Sequence, residues 1–182
     1  ARLLTRCGLE PMEAVDANIP NEPLRTLMEM ADCRRLEGIA MHTPIPRYVV
    51  LSPGASNPRR MWPIARFAEV GRQLFSQFGL ATVVVGGTAD QSLCESLRRD
   101  IGPQAVSLAG KTTPLEMLDI ISGATLFVGN DSGPAHLAGS LNIRTFVISP
   151  FPLSTTVDHP NSPLRFRPRG PRVLVFQAPF CA

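Results

Sequence analysis

The 182-residue sequence predicts an α/β fold built on a doubly wound, mostly parallel Rossmann-like sheet. Two observations carry this. Short apolar runs alternate with stretches of helical apolar spacing, the pattern of consecutive βαβ units. The distinctive loop residues, at 52–62, 86–90, 110–113 and 130–136, each follow a strand, and open α/β sheets bind ligands at that edge.

In chain order, Tyr48–Leu51 reads as the first strand and Ser52–Pro63 as a polar loop. Ile64–Phe78 follows as a helix, with Phe67, Val70, Leu74 and Phe78 on one face and Gly79 as its stop. Ala81–Val85 is a second strand that turns at Gly86-Gly87, and a helix runs from about Asp90 to Ile101. Ala105–Leu108 is a third strand. Thr113 then caps a helix over Pro114–Ile121, with Glu116 completing a capping box. Thr125–Val128 is a buried strand, broken by Asn130-Asp131-Ser132-Gly133 before Pro134 opens a helix. Arg144–Ile148 and Val173–Phe176 are the last strands. They are separated by a connection containing Pro150, Pro152, Pro160, Pro163, Pro168 and Pro171.

Residues 1–46 differ in character. Asn21-Glu22-Pro23 marks a helix start, and Leu24, Leu27, Met28 and Ala31 share one face. This stretch is expected to be a linker or amphipathic helix left from an upstream domain, with 47–182 forming the ligand-binding domain.

Composition narrows the function. The net charge of +3 is too mild to argue for nucleic-acid binding, and one Trp and one Tyr leave little for base stacking. No apolar run approaches the roughly 18 residues of a membrane span. Cys7, Cys33, Cys94 and Cys181 show no metal-ligand spacing, which predicts reduced thiols in a cytoplasmic protein and no metal.

The strand–turn–helix at 123–138 is the centre of the functional reading. A small polar turn leading into a helix N-terminus presents free N–H groups and the positive end of the helix dipole, so a phosphate-bearing ligand is expected here. Asp131 either caps the helix or accepts from sugar hydroxyls, and His136 is either a core histidine or a phosphate donor. In the first loop, Gly54, Ala55 and Ser56 allow close backbone approach, and Arg59 or Arg60 can clamp a diphosphate. Lys111 is either solvated or a phosphate partner. Neither a Ser-His-Asp triad nor a G-x-G-x-x-G fingerprint is present.

With those residues in view, the chain resembles the C-terminal, donor-binding half of glycosyltransferase family 9, the lipopolysaccharide heptosyltransferases. Ser52-Pro-Gly-Ala-Ser with Trp62-Pro63, Val85-Gly-Gly, Leu108-Ala-Gly-Lys-Thr and Asn130-Asp-Ser-Gly-Pro-Ala-His-Leu-Ala are similar to the family's motifs. The resemblance implies one half of a GT-B architecture. It implies inverting transfer of a sugar from a nucleotide-sugar such as ADP-heptose to a lipopolysaccharide or other glycan acceptor, with no cofactor and no obligatory metal. Such a protein would work in the cytoplasm, peripherally at the inner membrane. Ser56 and Arg60 would hold the diphosphate and Thr113 would lie by the nucleotide. Asp131 would touch the sugar, and Ser132, Gly133 and His136 would bind phosphate, with Lys111 assisting the leaving diphosphate.

Two positions depart from the family pattern. Arg60 stands where Lys is frequent, and Ser149-Pro-Phe-Pro-Leu replaces an aromatic-Gly pair after the fifth strand. The catalytic base is expected in an N-terminal domain absent from this sequence, so the chain alone would bind donor with little or no transfer. Competing readings are a non-catalytic nucleotide or phosphosugar module and a GT-B-fold nucleotide-sugar epimerase. A further one is a membrane-surface adaptor using Arg165, Arg167, Arg169 and Arg172.

Overall fold

The computed structural model describes residues 47–151, 162 and 166–177. The helix expected near Pro23–Ala31, and Arg165 of the arginine row, lie outside the described residues.

Six strands form the sheet: β1 (Tyr48–Ser52), β2 (Ala81–Val84), β3 (Ala105–Ser107), β4 (Leu126–Asn130), β5 (Thr145–Ser149) and β6 (Val173–Gln177). Every pairing is parallel, and the spatial order is β3-β2-β1-β4-β5-β6. The parallel sheet explains the near-continuous apolar runs: both faces of the central strands are covered, and all residues of β1, β2 and β4 are buried.

Helices α1 (Ile64–Phe78) and α2 (Gln91–Ile101) cover one face. Phe67, Leu74, Cys94 and Leu97 pack there against Val49, Leu51, Val84, Leu126 and Val128. Helices α3 (Pro114–Ser122) and α4 (Gly133–Ser140) cover the other. On that side Ile120, Ile121, Ala135 and Ala138 meet Val50, Val83, Val106, Phe127 and Val147. The period-two alternation of each strand thus feeds two separate cores, and each fully buried Leu, Ile or Phe contributes about 2 kcal/mol. The fold is doubly wound, as the sequence predicts.

Helix α1 has the predicted bounds because its stop is local chemistry. Gly79 adopts φ +66°, and its N–H donates to the carbonyls of Leu74 and Phe75. Strand β4 runs further than predicted. Gly129 and Asn130 look like turn residues, yet they pair with Val147 and Ile148 of β5, so the turn begins only at Asp131. At Gly129 an added Cβ would meet the Phe127 ring and Ser52 Cβ at 2.9 to 3.1 Å, so glycine is there for close packing between strands.

The strand order fixes where a ligand can sit. From β1 the chain winds outward to β2 and β3, then crosses back to place β4 on β1's other side. The loops after β1 and β4 therefore leave the sheet in opposite senses and open a crevice between them, the topological switch point.

Candidate functional site

That crevice is a cavity of about 440 Å³ lined by Ser56, Arg60, Asp131, Ser132, Gly133, His136 and Phe166. Its volume falls in the range of small-molecule sites. Six of these seven residues are those the sequence singles out. Two loops remote in sequence supply them, and one side chain joins the loops. Asn130 is fully buried; its Nδ2 donates to the Pro53 carbonyl at 2.7 Å and its Oδ1 accepts the Trp62 N–H at 2.9 Å. Trp62 packs edge-on against Phe67 with ring centroids 5.1 Å apart, so it anchors the loop to α1.

Between those anchors the loop presents its polar residues. Asn57 caps a short 3₁₀ turn over Pro58–Arg60, accepting the Arg59 N–H at 2.9 Å. This turn directs Arg60 across the crevice. Arg60 Nη2 donates to the Asp131 carbonyl at 3.1 Å and lies 3.4 Å from Asp131 Oδ2. Its Nε is buried with no hydrogen-bond partner, and the guanidinium lies 6.0 Å from the centroid of the Phe151 ring. Arg59, the other candidate in the loop, is exposed and outside the cavity lining.

Asp131 follows β4 directly and is only 6% exposed. Burial pushes its carboxyl above the ordinary value, while Arg60 and His136 pull it back towards ionisation. His136 Nε2 lies 3.7 Å from Asp131 Oδ1, on the side opposite Arg60. A carboxylate between two basic side chains can accept from hydroxyl groups, while the guanidinium and imidazole face outward to an anion. Ser132 is the N-terminal boundary of α4, but its hydroxyl does not cap the helix; it donates to the Asn130 carbonyl at 3.2 Å. Pro134 has no N–H, so the main-chain donors at this helix end belong to Ser132 and Gly133. The helix N-terminus thus faces the cavity without a side-chain cap of its own.

The other two loops play different parts. Lys111 and Thr113 follow β3, two strands away from β1, and neither lines the cavity. Lys111 Nζ donates to the Ser107 carbonyl at 3.3 Å. Thr113 and Glu116 form the predicted capping box: Thr113 N–H donates to Glu116 Oε2 at 2.7 Å, and the Glu116 N–H donates to Thr113 Oγ1 at 3.3 Å. Gly86-Gly87 packs against Asp90, with the Gly87 N–H donating to Asp90 Oδ2 at 3.0 Å. Phe166 lies in the proline-rich connection, where no periodicity marks it. Its only sequence signal is an aromatic residue in a loop after β5. No group of three or more metal-ligating side chains occurs among the described residues, and no described helix is long and apolar enough to cross a membrane.

The chain is similar to known proteins over part of its length. The chain is 35% identical over 95 residues to lipooligosaccharide heptosyltransferase 2 of Haemophilus influenzae, covering 50% of this chain and 27% of that protein. It is 34% identical over 97 residues to lipopolysaccharide heptosyltransferase 3 of Escherichia coli, covering 52% and 28%. The chain thus spans less than a third of the length of these relatives. Among solved structures, the E. coli ADP-heptose lipopolysaccharide heptosyltransferase II superposes with a TM-score of 0.67 at 20% identity, over 87% of this chain and 44% of that one. An E. coli heptosyltransferase solved with ADP gives 0.62 at 18% identity, over 74% and 38%. At these identities the superpositions establish the fold. The family model described as glycosyltransferase family 9 (heptosyltransferase) matches residues 21–155, well over half of the sequence, and the chain belongs to that family.

Proposed function

We propose that residues 47–182 form the donor-binding domain of a heptosyltransferase. This domain would hold a nucleotide-activated heptose, such as ADP-heptose, for transfer to the core of a lipopolysaccharide or related glycan. The observation that carries this reading is the cavity at the switch point. A helix N-terminus, Arg60 and His136 surround one pocket there, and a buried carboxylate stands between the two basic groups.

Each requirement of such a donor has a matching group. The diphosphate would lie between Arg60, His136 and the N–H groups of Ser132 and Gly133, with Ser56 donating from the facing loop. The positive charge of the Arg60 guanidinium in the cavity lining favours an anion over a neutral sugar at that point. Asp131 would accept from the sugar hydroxyls. Glycosyl transfer needs a base on the acceptor hydroxyl and stabilisation of the departing nucleoside diphosphate. These residues supply the second, and the acceptor's base would come from an N-terminal domain facing this one. Lys111 and Thr113 would meet only the distal, nucleoside end of the donor, because they sit outside the cavity. The protein would act in the cytoplasm at the inner membrane, with the glycan acceptor as its second substrate.

Calorimetric titration with ADP, UDP and ADP-heptose tests this directly. The expected result is micromolar binding of the adenine nucleotides, weakened at least about tenfold by Asp131→Ala or by His136→Ala. Unchanged affinity in both folded variants would refute the assignment.

A further inference from the structure

The glycines of two loops close on a single carboxylate that takes no part in the cavity. Asp90 ends the 3₁₀ turn Thr88–Asp90 and begins α2. A Cβ added to Gly54 would stand 2.7 Å from the Asp90 carboxyl carbon and from each of its oxygens. One added to Gly86 would stand 2.9 Å from Asp90 Cβ and 3.0 Å from Cys94 Sγ. The same carboxylate accepts the Gly87 N–H, and the Gly86 carbonyl accepts the Gly110 N–H at 3.0 Å. Asp90 therefore lies where the loops after β1 and β2 meet, and the loop after β3 joins the second of them through Gly86.

Its place in the first loop is specific. Asn130 holds Pro53 and Trp62 and Asp131 holds Arg60, which leaves Gly54-Ala55-Ser56 to be located by something else. Gly54 is the first residue of that stretch, and a Cβ added to it would meet the Asp90 carboxylate, so a side chain there requires that carboxylate to move. Two residues later comes Ser56, and four after that Arg60, both in the cavity lining. We infer that Asp90 is a positioning residue for the donor diphosphate. Its carboxylate is the wall against which Gly54 seats, so it sets how closely Gly54-Ala55-Ser56 approaches the N-terminus of α4. The inference rests on the donor-site reading above. It also gives Gly54 a reason distinct from phosphate approach: the residue is small for the carboxylate behind it.

The test is a double-variant cycle read by ADP calorimetry and by thermal melting. Gly54→Ala and Asp90→Ala are each expected to weaken ADP binding about tenfold, since displacing a binding group by an ångström is costly. The double variant is expected to bind ADP more tightly than Gly54→Ala alone, because the new methyl enters the space the carboxylate vacates. Its melting temperature should recover in parallel. Asp90→Asn keeps the shape and an oxygen for the Gly87 N–H, and is expected within about threefold of the parent chain. If Gly54→Ala does not fold, the contrast between Asp90→Ala and Asp90→Asn decides the matter. Purely additive losses, or parental affinity in Asp90→Ala, would overturn the inference while ADP binding by the parent chain upheld the site. No ADP binding by the folded parent chain would overturn the donor-site reading and this inference with it.

Discussion

Asp131 combines a structural cost with the chemical use proposed for it. It is buried at the end of β4, and desolvation is the largest influence on its carboxyl, which titrates above the ordinary value of 3.8 despite Arg60 and His136. A raised carboxyl pKa means that the folded chain holds the proton more tightly than the unfolded chain. Its contribution to stability is therefore fully present below the unfolded-state pKa, and is lost as pH rises through the raised folded-state pKa. At neutral pH the ionised group is less favourable to folding than its protonated form. Asp131→Asn removes the charge and keeps the shape, so it is expected to melt at or above the parent chain at neutral pH. The difference should shrink in acid, where Asp131 itself becomes neutral. Donor binding is expected to fall in the same variant, because an amide is a weaker acceptor for sugar hydroxyls. Melting curves across the acidic to neutral range check this. A variant less stable at neutral pH would mean that the attraction of Arg60 and His136 outweighs burial. Sites selected for function often carry such a cost.

At the scale of elements, chemistry confined to a few neighbours was legible in the sequence, and chemistry across the sheet was not. The stop at Gly79 and the capping box at Thr113 and Glu116 depend on residues within one turn, and both stand where the sequence puts them. The Glu116 carboxyl is held below its usual value by the Thr113 backbone N–H and then by its hydroxyl. Its stabilising effect is accordingly present at neutral pH and lost as pH falls through its lowered pKa. Thr113→Ala is expected to cost about 1 kcal/mol of stability through the lost cap, whereas Thr113→Ser retains the cap. Chemical denaturation of both variants checks the difference, and equal losses would contradict the capping role. Asn130 shows the opposite case. It reads as a turn former, but β5 draws it into the sheet, and its amide joins Pro53 to Trp62, residues 77 and 68 positions away. No local pattern reports such a bond. Phe166 is not legible in the sequence for a related reason, since a proline-rich connection carries no period from which to infer a neighbour.

For the molecule as a whole, the alternation of strands and helices indicates a parallel sheet but does not rank the loops along its edge. Four distinctive loops follow strands, and the sequence singles out the one after β4 without showing which of the others faces it. The order β3-β2-β1-β4-β5-β6 separates them: the loops after β1 and β4 flank the reversal of winding and enclose the cavity. The loop after β2 buttresses the first of these through Asp90, and the loop after β3 holds Lys111 and Thr113 farther out. Placing the donor at the reversal therefore makes a claim about position that affinity alone does not test. The most direct measurement is the pattern of backbone amide shifts in NMR spectra of the isotope-labelled chain as ADP is added. The amides of 54–60 and 131–137 are expected to move first and furthest, with smaller changes at 110–113 and none at 167–173. Shifts centred on 110–113, or on the arginines after residue 166, with the 131–137 amides unmoved, would contradict a donor site at the switch point.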